Sequence, residues 1–348
     1  MSSRILLEEI DEVTKLIEPL LWKYAFNYYG NCAGLYDKIS YTLPDVGIRI
    51  RPFLVRMGYE AGGGNFEEIL PIAAAIELMQ ISTLVIDDIL DEAETRNRRE
   101  TVAKKWGKEI ALLVGNMLYL LSERTLTDAL FTENIDLERA KKVENIFRNT
   151  YEEIHIGQYL DLVYENEENI SKPEYLDMIK KTTALFIQTP IRIGAILSNC
   201  PAEIVNPLHA YGLSLGYAYQ IRDDVIDIIG KEEFTGKPFA GDIKRRKKRL
   251  PVIHAFLNGS KSTQERLRTL FEEYPMSDRG VKEVVKIVYD GGSVDYSINM
   301  VRQFCNQAVE EISELEDSRI KNLLTVLAEL VGTFDTYKVS GSTVKGEL

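Results

Sequence analysis

Two short acidic segments of the sequence share one spacing of aspartates. Residues 87–91 read DDILD and residues 223–227 read DDVID, so each segment has aspartate at its first, second and fifth positions. On a helix the first and fifth positions share one face, which brings their carboxylates to about 6 Å from each other. Carboxylates that cluster so closely repel one another, and a bound cation would offset that repulsion.

The chemistry that these segments favour is magnesium binding. Apolar helical runs lead into both segments, which argues against the simpler interpretation of a solvated acidic helix face. Two copies of the pattern also arise by chance much more rarely than one copy. Carboxylate oxygens are hard ligands, and Mg²⁺ characteristically shares them with the phosphates of a substrate. The sequence therefore predicts a Mg²⁺-diphosphate site.

Such a site also needs basic side chains that reach phosphate oxygens directly. The candidates are Arg96, Lys181 with Thr182 beside it, Lys237, Lys247 and Lys248. Each alone is more often a solvated surface base, but together with two acidic segments they indicate phosphate binding. The run 244–249 has a second interpretation, as a patch for nucleic acid or acidic lipid, which the net charge of −12 disfavours.

Composition limits the classes of protein that fit. The chain has 348 residues, 45% of them apolar, enough for one large domain or two small ones. Its net charge of −12 argues against a general nucleic-acid binder. Three cysteines without metal-ligand spacing, and no signal peptide at the start, favour a reducing, cytoplasmic location. The apolar runs, such as 110–121, fall short of the about 20 residues that a membrane span needs, so we expect no span.

Periodicity predicts an all-α chain. Helices are predicted at 4–24, 47–59, 66–90, 101–130, 137–164, 172–197 and 202–229, with several shorter ones between 252 and 337. Alternating β-branched runs are scarce, and long helices with short connections favour one bundle. We expect a single domain over 1–340 and a frayed tail over 341–348.

Several motifs occur together in one order along the chain. They are 47–52 (GIRIRP), 77–80 (ELMQ) leading into 87–96 (DDILDEAETR), 157–161 (GQYLD), Lys181-Thr182, 220–227 (QIRDDVID), 236–238 (GKP), Asp242 and 247–248 (KK). With these motifs the chain resembles the trans-isoprenyl diphosphate synthases, the head-to-tail prenyltransferases that include farnesyl and geranylgeranyl diphosphate synthases. The resemblance implies a helical bundle of the isoprenoid-synthase type around a deep central cavity, usually a homodimer.

The resemblance also implies roles for individual residues. It places three Mg²⁺ ions on the allylic diphosphate, held by Asp87, Asp91 and Asp223, with Asp88, Asp224 and Asp227 in support. It assigns contacts with the same diphosphate to Arg96, Lys181, Lys237 and Lys247, and it places Gln220 and Thr182 along the site. The metals would stabilise departing pyrophosphate, and isopentenyl diphosphate would attack the allylic cation that remains. Water must be excluded to protect that cation.

The acceptor site departs from the family pattern. By resemblance, isopentenyl diphosphate is bound by the motif GGKRxRP and by the second arginine of RRG. In this chain Ile48 replaces the lysine, Asn97 replaces that arginine, and Arg98 replaces the glycine. A charged hydrogen bond to phosphate contributes about 1.5–3 kcal/mol, so two lost contacts would weaken acceptor binding by orders of magnitude.

Three hypotheses follow from this departure. Arg49, Arg51 and Gln80 remain at the acceptor site, and Arg98 or Arg99 is placed to compensate for the lost charges, so ordinary chain elongation is the leading hypothesis. The second is an irregular coupling or a terpene-synthase-like reaction on one diphosphate. The third is a non-catalytic subunit that stabilises an active homologue, against which the two intact acidic segments argue.

Product length depends, by resemblance, on the residues four and five positions before the first acidic segment. Short-chain members carry an aromatic residue there, whereas this chain has Thr83 and Ser82. A growing chain would pass these small side chains and meet a floor formed by Met79 or by residues 115–120. We therefore expect a product of C20 or longer.

Overall fold

The structure is a computed structural model that describes residues 2–44, 47–132, 135–167, 169–230 and 239–334. Its helices are α1 Ser3–Tyr29, α2 Ala33–Thr42, α3 Ile50–Ala61, α4 Leu70–Leu90, α5 Val102–Trp106, α6 Lys108–Thr132, α7 Leu137–Asn166, α8 Lys172–Ile179, α9 Leu185–Leu197, α10 Ala202–Ile229, α11 Gly241–Lys244, α12 Leu250–Asn258, α13 Lys261–Glu272, α14 Asp278–Asp290, α15 Ser293–Glu311 and α16 Arg319–Val331. A 3₁₀ turn, Phe66–Ile69, leads into α4, and a π-helical turn, Lys180–Ala184, joins α8 to α9. The predicted all-α bundle is confirmed.

Most helix boundaries agree with the periodicity of the sequence. α10 covers the predicted range 202–229, whereas the predicted helix 101–130 is divided at Gly107, where a φ of +95° favours glycine. Periodicity missed α2, because glycines at 30 and 34 indicate a break and Gly34 instead lies inside that helix. It also missed a hairpin of two short antiparallel strands, β1 Thr95–Arg96 and β2 Arg99–Glu100.

α4 is the central helix of one half of the bundle. It packs against α1, α3 and α6, and most of its side chains are buried. The stretch Phe66–Leu90 is long and apolar enough to span a membrane, judged by length and composition alone. The expectation that every apolar run is too short is therefore wrong. Because 78% of its most apolar window is buried inside the protein, the stretch is a core helix of this bundle.

α10 is the central helix of the other half, and it packs against α9, α15 and the π-turn. Gly216 of α10 comes so close to the π-turn that a Cβ atom would lie 2.4 Å from the Cα of Ala184. Gly157 of α7 approaches from the other side, where a Cβ would lie 2.7 Å from the backbone nitrogen of Thr182. Two glycines thus hold the π-turn between α7 and α10. The tail predicted at 341–348 lies outside the described residues.

Candidate active site

The first acidic segment lies at the C-terminal end of α4. Asp87 and Asp88 belong to its last turn, and Asp91 caps it, with its backbone N–H donating to the Asp87 carbonyl at 2.8 Å. A helix C-terminus carries partial negative charge, so carboxylates there are unfavourable without a nearby cation. Arg96 of β1 supplies one: its Nε donates to Asp88 Oδ1 at 2.9 Å and its Nη2 to Asp87 Oδ2 at 3.2 Å.

The second acidic segment lies at the C-terminal end of α10. Asp224 is buried, and its carboxylate accepts hydrogen bonds from Gln220 Nε2 at 2.9 Å and from the Tyr175 hydroxyl at 2.5 Å. Asp227 accepts the backbone N–H groups of residues 241 and 242, which begin α11, at 3.1 and 3.2 Å. The side chain of Asp223 is exposed. Each of the three aspartates therefore has a different environment.

Two cations of the segment 245–249 lie between the two acidic segments. Lys247 contacts Asp91 and also donates to Asp161 of α7 at 2.8 Å. Arg249 lies 2.6 Å from Asp161 and 3.9 Å from Asp224. A continuous chain of charges thus runs Asp91–Lys247–Asp161–Arg249–Asp224, and we call it the charge network. It connects the two acidic segments through side chains of α7 and of the segment 245–249.

Further contacts extend the charge network. Arg245 lies 3.0 Å from Asp242 and 3.6 Å from Asp91, and Arg249 lies 3.2 Å from Asp242. Lys247 and Lys248 are buried, at 3% and 9% exposure. A binding patch for nucleic acid or lipid headgroups needs exposed cations, so burial disfavours that interpretation of the run 244–249.

Burial raises the pKa values of the site carboxylates. It raises the pKa of Asp224 to about 7, against the partial compensation of Arg249. Burial, and then the neighbouring Asp91 carboxylate, raises the pKa of Asp87 to about 6. The Asp87 side chain keeps 40% of its surface exposed, so water moderates the effect more there than at Asp224, which is 1% exposed. Carboxylates with raised pKa values lack sufficient positive charge around them, and a divalent cation would supply it.

The oxygen donors of the two acidic segments fit Mg²⁺. Across the described residues, no group of three or more histidine, cysteine, aspartate or glutamate side chains is arranged as a metal site. The carboxylates of Asp87, Asp88 and Asp91 are instead paired with arginine and lysine. Mg²⁺ does not require a complete protein cage, since one or two carboxylates with water and substrate phosphates usually hold it. The donor set therefore fits a metal that binds together with a diphosphate.

The remaining residues predicted for the allylic diphosphate lie beside α7 and α10. Lys181 of the π-turn donates to Glu153 of α7 at 2.7 Å. Gln220 of α10 accepts from the Thr183 hydroxyl at 2.5 Å, and Thr182 lies where α7 and the π-turn make their closest approach. The prediction for Lys237 lies outside the described residues.

The two arginines predicted to bind the acceptor differ in the partners that their guanidinium groups have. Arg49 is buried, and its guanidinium donates to Glu77 Oε1 at 3.2 Å and to the Leu43 carbonyl at 2.9 Å. Arg51 lies with its guanidinium 4.5 Å from the centre of the Phe186 ring, and its buried Nε has no hydrogen-bond partner among the described residues. Arg51 is therefore the better-placed arginine of the two for an anionic ligand.

The positions that depart from the family motif, and the residues near them, also differ in how far they are buried. Ile48 is half-buried and packs against the apolar core, while Asn97 and Arg98 are exposed in the turn of the hairpin. Arg99 is half-buried, and its guanidinium lies 4.3 Å from the centre of the Tyr41 ring. Gln80 is half-buried on α4, seven residues before Asp87. Of the two arginines proposed to compensate, Arg99 is the one that faces the protein.

Several residues of this site have no role that could be assigned from the sequence. Asp161, Asp242 and Arg249 carry the charge network, and Tyr175 holds the Asp224 carboxylate. Asp161 and Asp242 stand inside motifs quoted for the resemblance, so a signal was present. Tyr175 had none, because a single tyrosine in a helix has no spacing that distinguishes it.

Comparisons with known proteins agree with the fold. Residues 33–288 match the family model described as polyprenyl synthetase. The geranylgeranyl diphosphate synthase of Methanosarcina mazei is 32% identical over 295 residues, which are 85% of this chain and 88% of that protein. The short chain isoprenyl diphosphate synthase of Methanocaldococcus jannaschii is 32% identical over 292 residues, 84% of each chain.

A solved structure shows the same architecture. The geranylgeranyl pyrophosphate synthetase from Pyrococcus horikoshii superposes with a TM-score of 0.86 at 29% identity, and the match covers 94% of this chain and 98% of that one. The resemblance found in the sequence is thereby confirmed. The chain belongs to the polyprenyl synthetase family, and it is a prenyltransferase.

Proposed function

We propose that this prenyltransferase joins an allylic diphosphate to isopentenyl diphosphate head to tail, depends on Mg²⁺, and releases a polyprenyl diphosphate of C20 or longer. The observation that carries the proposal is the charge network, which links the acidic ends of α4 and α10 through buried cations. Carboxylates for metals and cations for phosphates occur there at one place. That combination suits a diphosphate that enters with its metals.

The charge network suggests how the substrate is received. Arg96 pairs with Asp87 and Asp88, and Lys247 pairs with Asp91 and Asp161. A bound diphosphate offers these cations new partners, and the carboxylates become available as oxygen ligands. Because opposite charges exchange partners, no charge is left buried and unpaired.

The protein then holds the leaving group while the substrate reacts. Mg²⁺, once bound, would stabilise the negative charge that develops on departing pyrophosphate. Arg96, Lys181 and Lys247 hold the phosphate oxygens as the carbon–oxygen bond of the allylic diphosphate breaks and its electron pair leaves with pyrophosphate. The double bond of isopentenyl diphosphate attacks the allylic carbon, and the departed pyrophosphate takes the proton that restores a double bond. The apolar side chains that precede the acidic segments on α4 and α10 keep water from the cation.

A product assay tests this proposal. The purified protein is incubated with Mg²⁺, isopentenyl diphosphate and a C5, C10, C15 or C20 allylic diphosphate, and the chain lengths of the products are measured. We expect elongation that chelation by EDTA abolishes. Asp87→Ala and Asp223→Ala are each expected to remove nearly all turnover, while Asp317→Ala, at a residue with a 96% exposed side chain, is expected to leave it unchanged. Failure of all four primers would reject the proposal.

A second candidate function follows from the acceptor site. Ile48 packs against the core, and Arg49 is turned inward to Glu77, so two positions of the motif 47–52 present no free charge. This favours a reaction of one allylic diphosphate alone or an irregular coupling. Pyrophosphate release from an allylic diphosphate without isopentenyl diphosphate would support this candidate, and strict dependence on isopentenyl diphosphate would reject it.

We also propose that the protein is a homodimer. α6 exposes Leu112, Leu113 and Leu120 at 50%, 57% and 47%, and the neighbouring α7 exposes Ile156 and Tyr159. Several large apolar side chains exposed on neighbouring helices are typical of a protein–protein interface. Sedimentation or light scattering should give twice the chain mass of 39.6 kDa. A monomeric mass at micromolar concentration would contradict the dimer.

A further inference from the structure

Asp161 of α7 is held by two cations at once. Arg249 grips its carboxylate with two nitrogens, Nη1 donating to Oδ1 at 2.6 Å and Nη2 donating to Oδ2 at 3.3 Å. Lys247 Nζ donates to the same Oδ2 at 2.8 Å. The side chain of Asp161 is only 16% exposed, so water cannot fully replace either cation. Because Arg249 contacts both oxygens, each of them keeps a guanidinium partner if Lys247 moves away.

The guanidinium group of Arg249 is itself fixed in place. Its Nε donates to Asp242 Oδ2 at 3.2 Å, in the first turn of α11, and lies 3.9 Å from Asp224 Oδ1. All three nitrogens of the group therefore contact carboxylates. A guanidinium presents its donors in a rigid fork, so Arg249 could bind a phosphate only by giving up one of these carboxylates. Its contacts make it a partner of the protein's own acidic groups rather than a ligand of the substrate.

Lys247 is in the opposite situation, because its charge sits at the end of a flexible stem. It contacts Asp91 and Asp161, and the proposed function requires it to turn towards a phosphate. Each carboxylate that it leaves has another cation to take its place. Asp91 becomes a ligand of the metal that accompanies the diphosphate, and Asp161 stays in the fork of Arg249. Lys247 therefore moves without leaving a buried carboxylate unpaired, which would be costly.

We propose that Arg249 is a positioning residue for substrate binding: by holding Asp161, it releases Lys247 to the diphosphate. The proposal rests on the proposed function, in which Lys247 binds the allylic diphosphate. Without Arg249, Lys247 would be the only cation in contact with Asp161 among the described residues. Its movement to a phosphate would then leave a largely buried carboxylate without a partner, so Lys247 would be retained by Asp161 and the substrate would bind more weakly.

Two double variants of the full-length protein test the proposal. Calorimetry measures the binding of inorganic pyrophosphate in the presence of Mg²⁺. Arg249→Met with Asp242→Asn leaves Lys247 held by Asp161, and the dissociation constant is expected to rise at least about tenfold. Arg249→Met with Asp161→Asn removes the carboxylate that retains Lys247, so a dissociation constant within about threefold of wild type is expected. Each pair removes one positive and one negative charge, so the two proteins carry the same net charge.

Kinetics give a second measurement of the same difference. The KM for the allylic diphosphate should rise in the Asp242 pair much more than kcat falls, and it should return towards the wild-type value in the Asp161 pair. Arg266→Met is the matched control, because it breaks a forked ion pair with Glu283 between α13 and α14, in which both distances are 2.6 Å. It is expected to leave pyrophosphate binding and KM unchanged.

The outcomes separate this proposal from the proposed function. If both double variants bind pyrophosphate as tightly as the wild type, or both bind it equally weakly, the positioning role is overturned. Equal weakness would mean that Arg249 contacts phosphate itself or only supports the fold. In either case, elongation by the wild type leaves the proposed function standing. A wild type that binds no pyrophosphate overturns the positioning role, and one that also extends no primer overturns both proposals. Circular dichroism verifies folding, and Arg249→Gln, with the same expected difference, replaces Arg249→Met in both pairs if either protein does not fold.

Discussion

Lys247 lies between two carboxylates, 2.8 Å from Asp161 Oδ2 and in contact with Asp91 Oδ1, and 3% of its side chain is exposed. Burial lowers the pKa of Lys247, but the carboxylates of Asp161 and Asp91 more than reverse this, and the net direction is upward. The ammonium group therefore stays charged across the physiological range. One lysine thus connects the ends of α4 and α7 and remains available to a phosphate.

Replacing Lys247 by methionine should destabilise the protein strongly. Two buried carboxylates would lose their shared cation, and removing one partner of a buried ion pair costs about 3–5 kcal/mol. Urea unfolding measures this loss in the free energy of unfolding. Lys104→Met is the control, since it breaks an exposed pair with Glu94 and is expected to cost at most about 1 kcal/mol. Equal losses in the two variants would contradict the buried role of Lys247.

Arg49 and Arg51 should respond differently to the same substitution. Arg49→Met leaves Glu77 as an unpaired carboxylate of 1% exposure, so we expect a loss of about 3–5 kcal/mol in the free energy of unfolding. Arg51→Met breaks no ion pair seen here and is expected mainly to raise the KM for isopentenyl diphosphate. Arg49→Met with Glu77→Met together should recover part of the lost stability. A raised KM with unchanged stability in Arg49→Met would show that Arg49 binds the acceptor instead.

Much of the fold was predictable because its signals are local. α10 has uninterrupted apolar periodicity between Pro201 and Gly230, and each acidic segment ends such a run. The prediction that failed, the absence of α2, also rested on a local signal. Gly34 indicates a break in the sequence, but the helix continues through it and the space around it is open. A short helix held by tertiary packing leaves a weak trace in its own sequence.

The pairing of site residues was less predictable, because it depends on contacts that are distant in the chain. Lys247 and Arg249 belong to a run of basic residues whose composition is typical of solvated surface, yet both reach Asp161, 86 and 88 residues earlier. Arg49 belongs to a recognised motif, but its partner Glu77 is 28 residues away, and only the fold shows that it faces inward. Residue type indicated the chemistry, whereas the choice of partners required the tertiary structure.

Gly157→Ala should lower both stability and turnover. The added methyl group would lie 2.7 Å from the backbone nitrogen of Thr182, so α7 and the π-turn that carries Lys181 must separate. Overpacking of this kind costs about 1–3 kcal/mol, measured by thermal or urea unfolding alongside the product assay. Gly34→Ala is the control: no atom lies within 4 Å of its added methyl group, and it should gain about 0.5–1 kcal/mol. A Gly157→Ala protein with wild-type turnover would contradict the close approach.

Ile48→Lys should strengthen acceptor binding if the motif 47–52 borders the acceptor's phosphates. One charged hydrogen bond to phosphate contributes about 1.5–3 kcal/mol, which is about tenfold or more in affinity. Steady-state kinetics should show a lower KM for isopentenyl diphosphate. Ile48→Met, similar in size and uncharged, is expected to leave that KM unchanged. If Ile48→Lys also leaves it unchanged, the acceptor binds elsewhere.

Lys248 should give the protein a stability that increases with pH above about 8. Burial, and then the charge of Arg246, lowers the pKa of Lys248 to about 8, although its ammonium group donates to the Tyr164 and Glu165 carbonyls near the end of α7 at 3.4 and 3.1 Å. The unfolded chain keeps the ordinary pKa of about 10.4, so between these values it binds more protons than the folded protein does.

The free energy of unfolding contributed by this group therefore rises from pH 8 to about 10.4 and is constant outside that window. Lys248→Met removes the titration, so the difference in unfolding free energy between wild type and variant should shift in favour of the wild type across the window. Urea unfolding at pH 7, 8, 9 and 10 measures it. The comparison cancels the tyrosines that titrate in the same range, because both proteins carry them. A difference that stays constant with pH would show that Lys248 titrates normally and that its two carbonyl contacts compensate for burial.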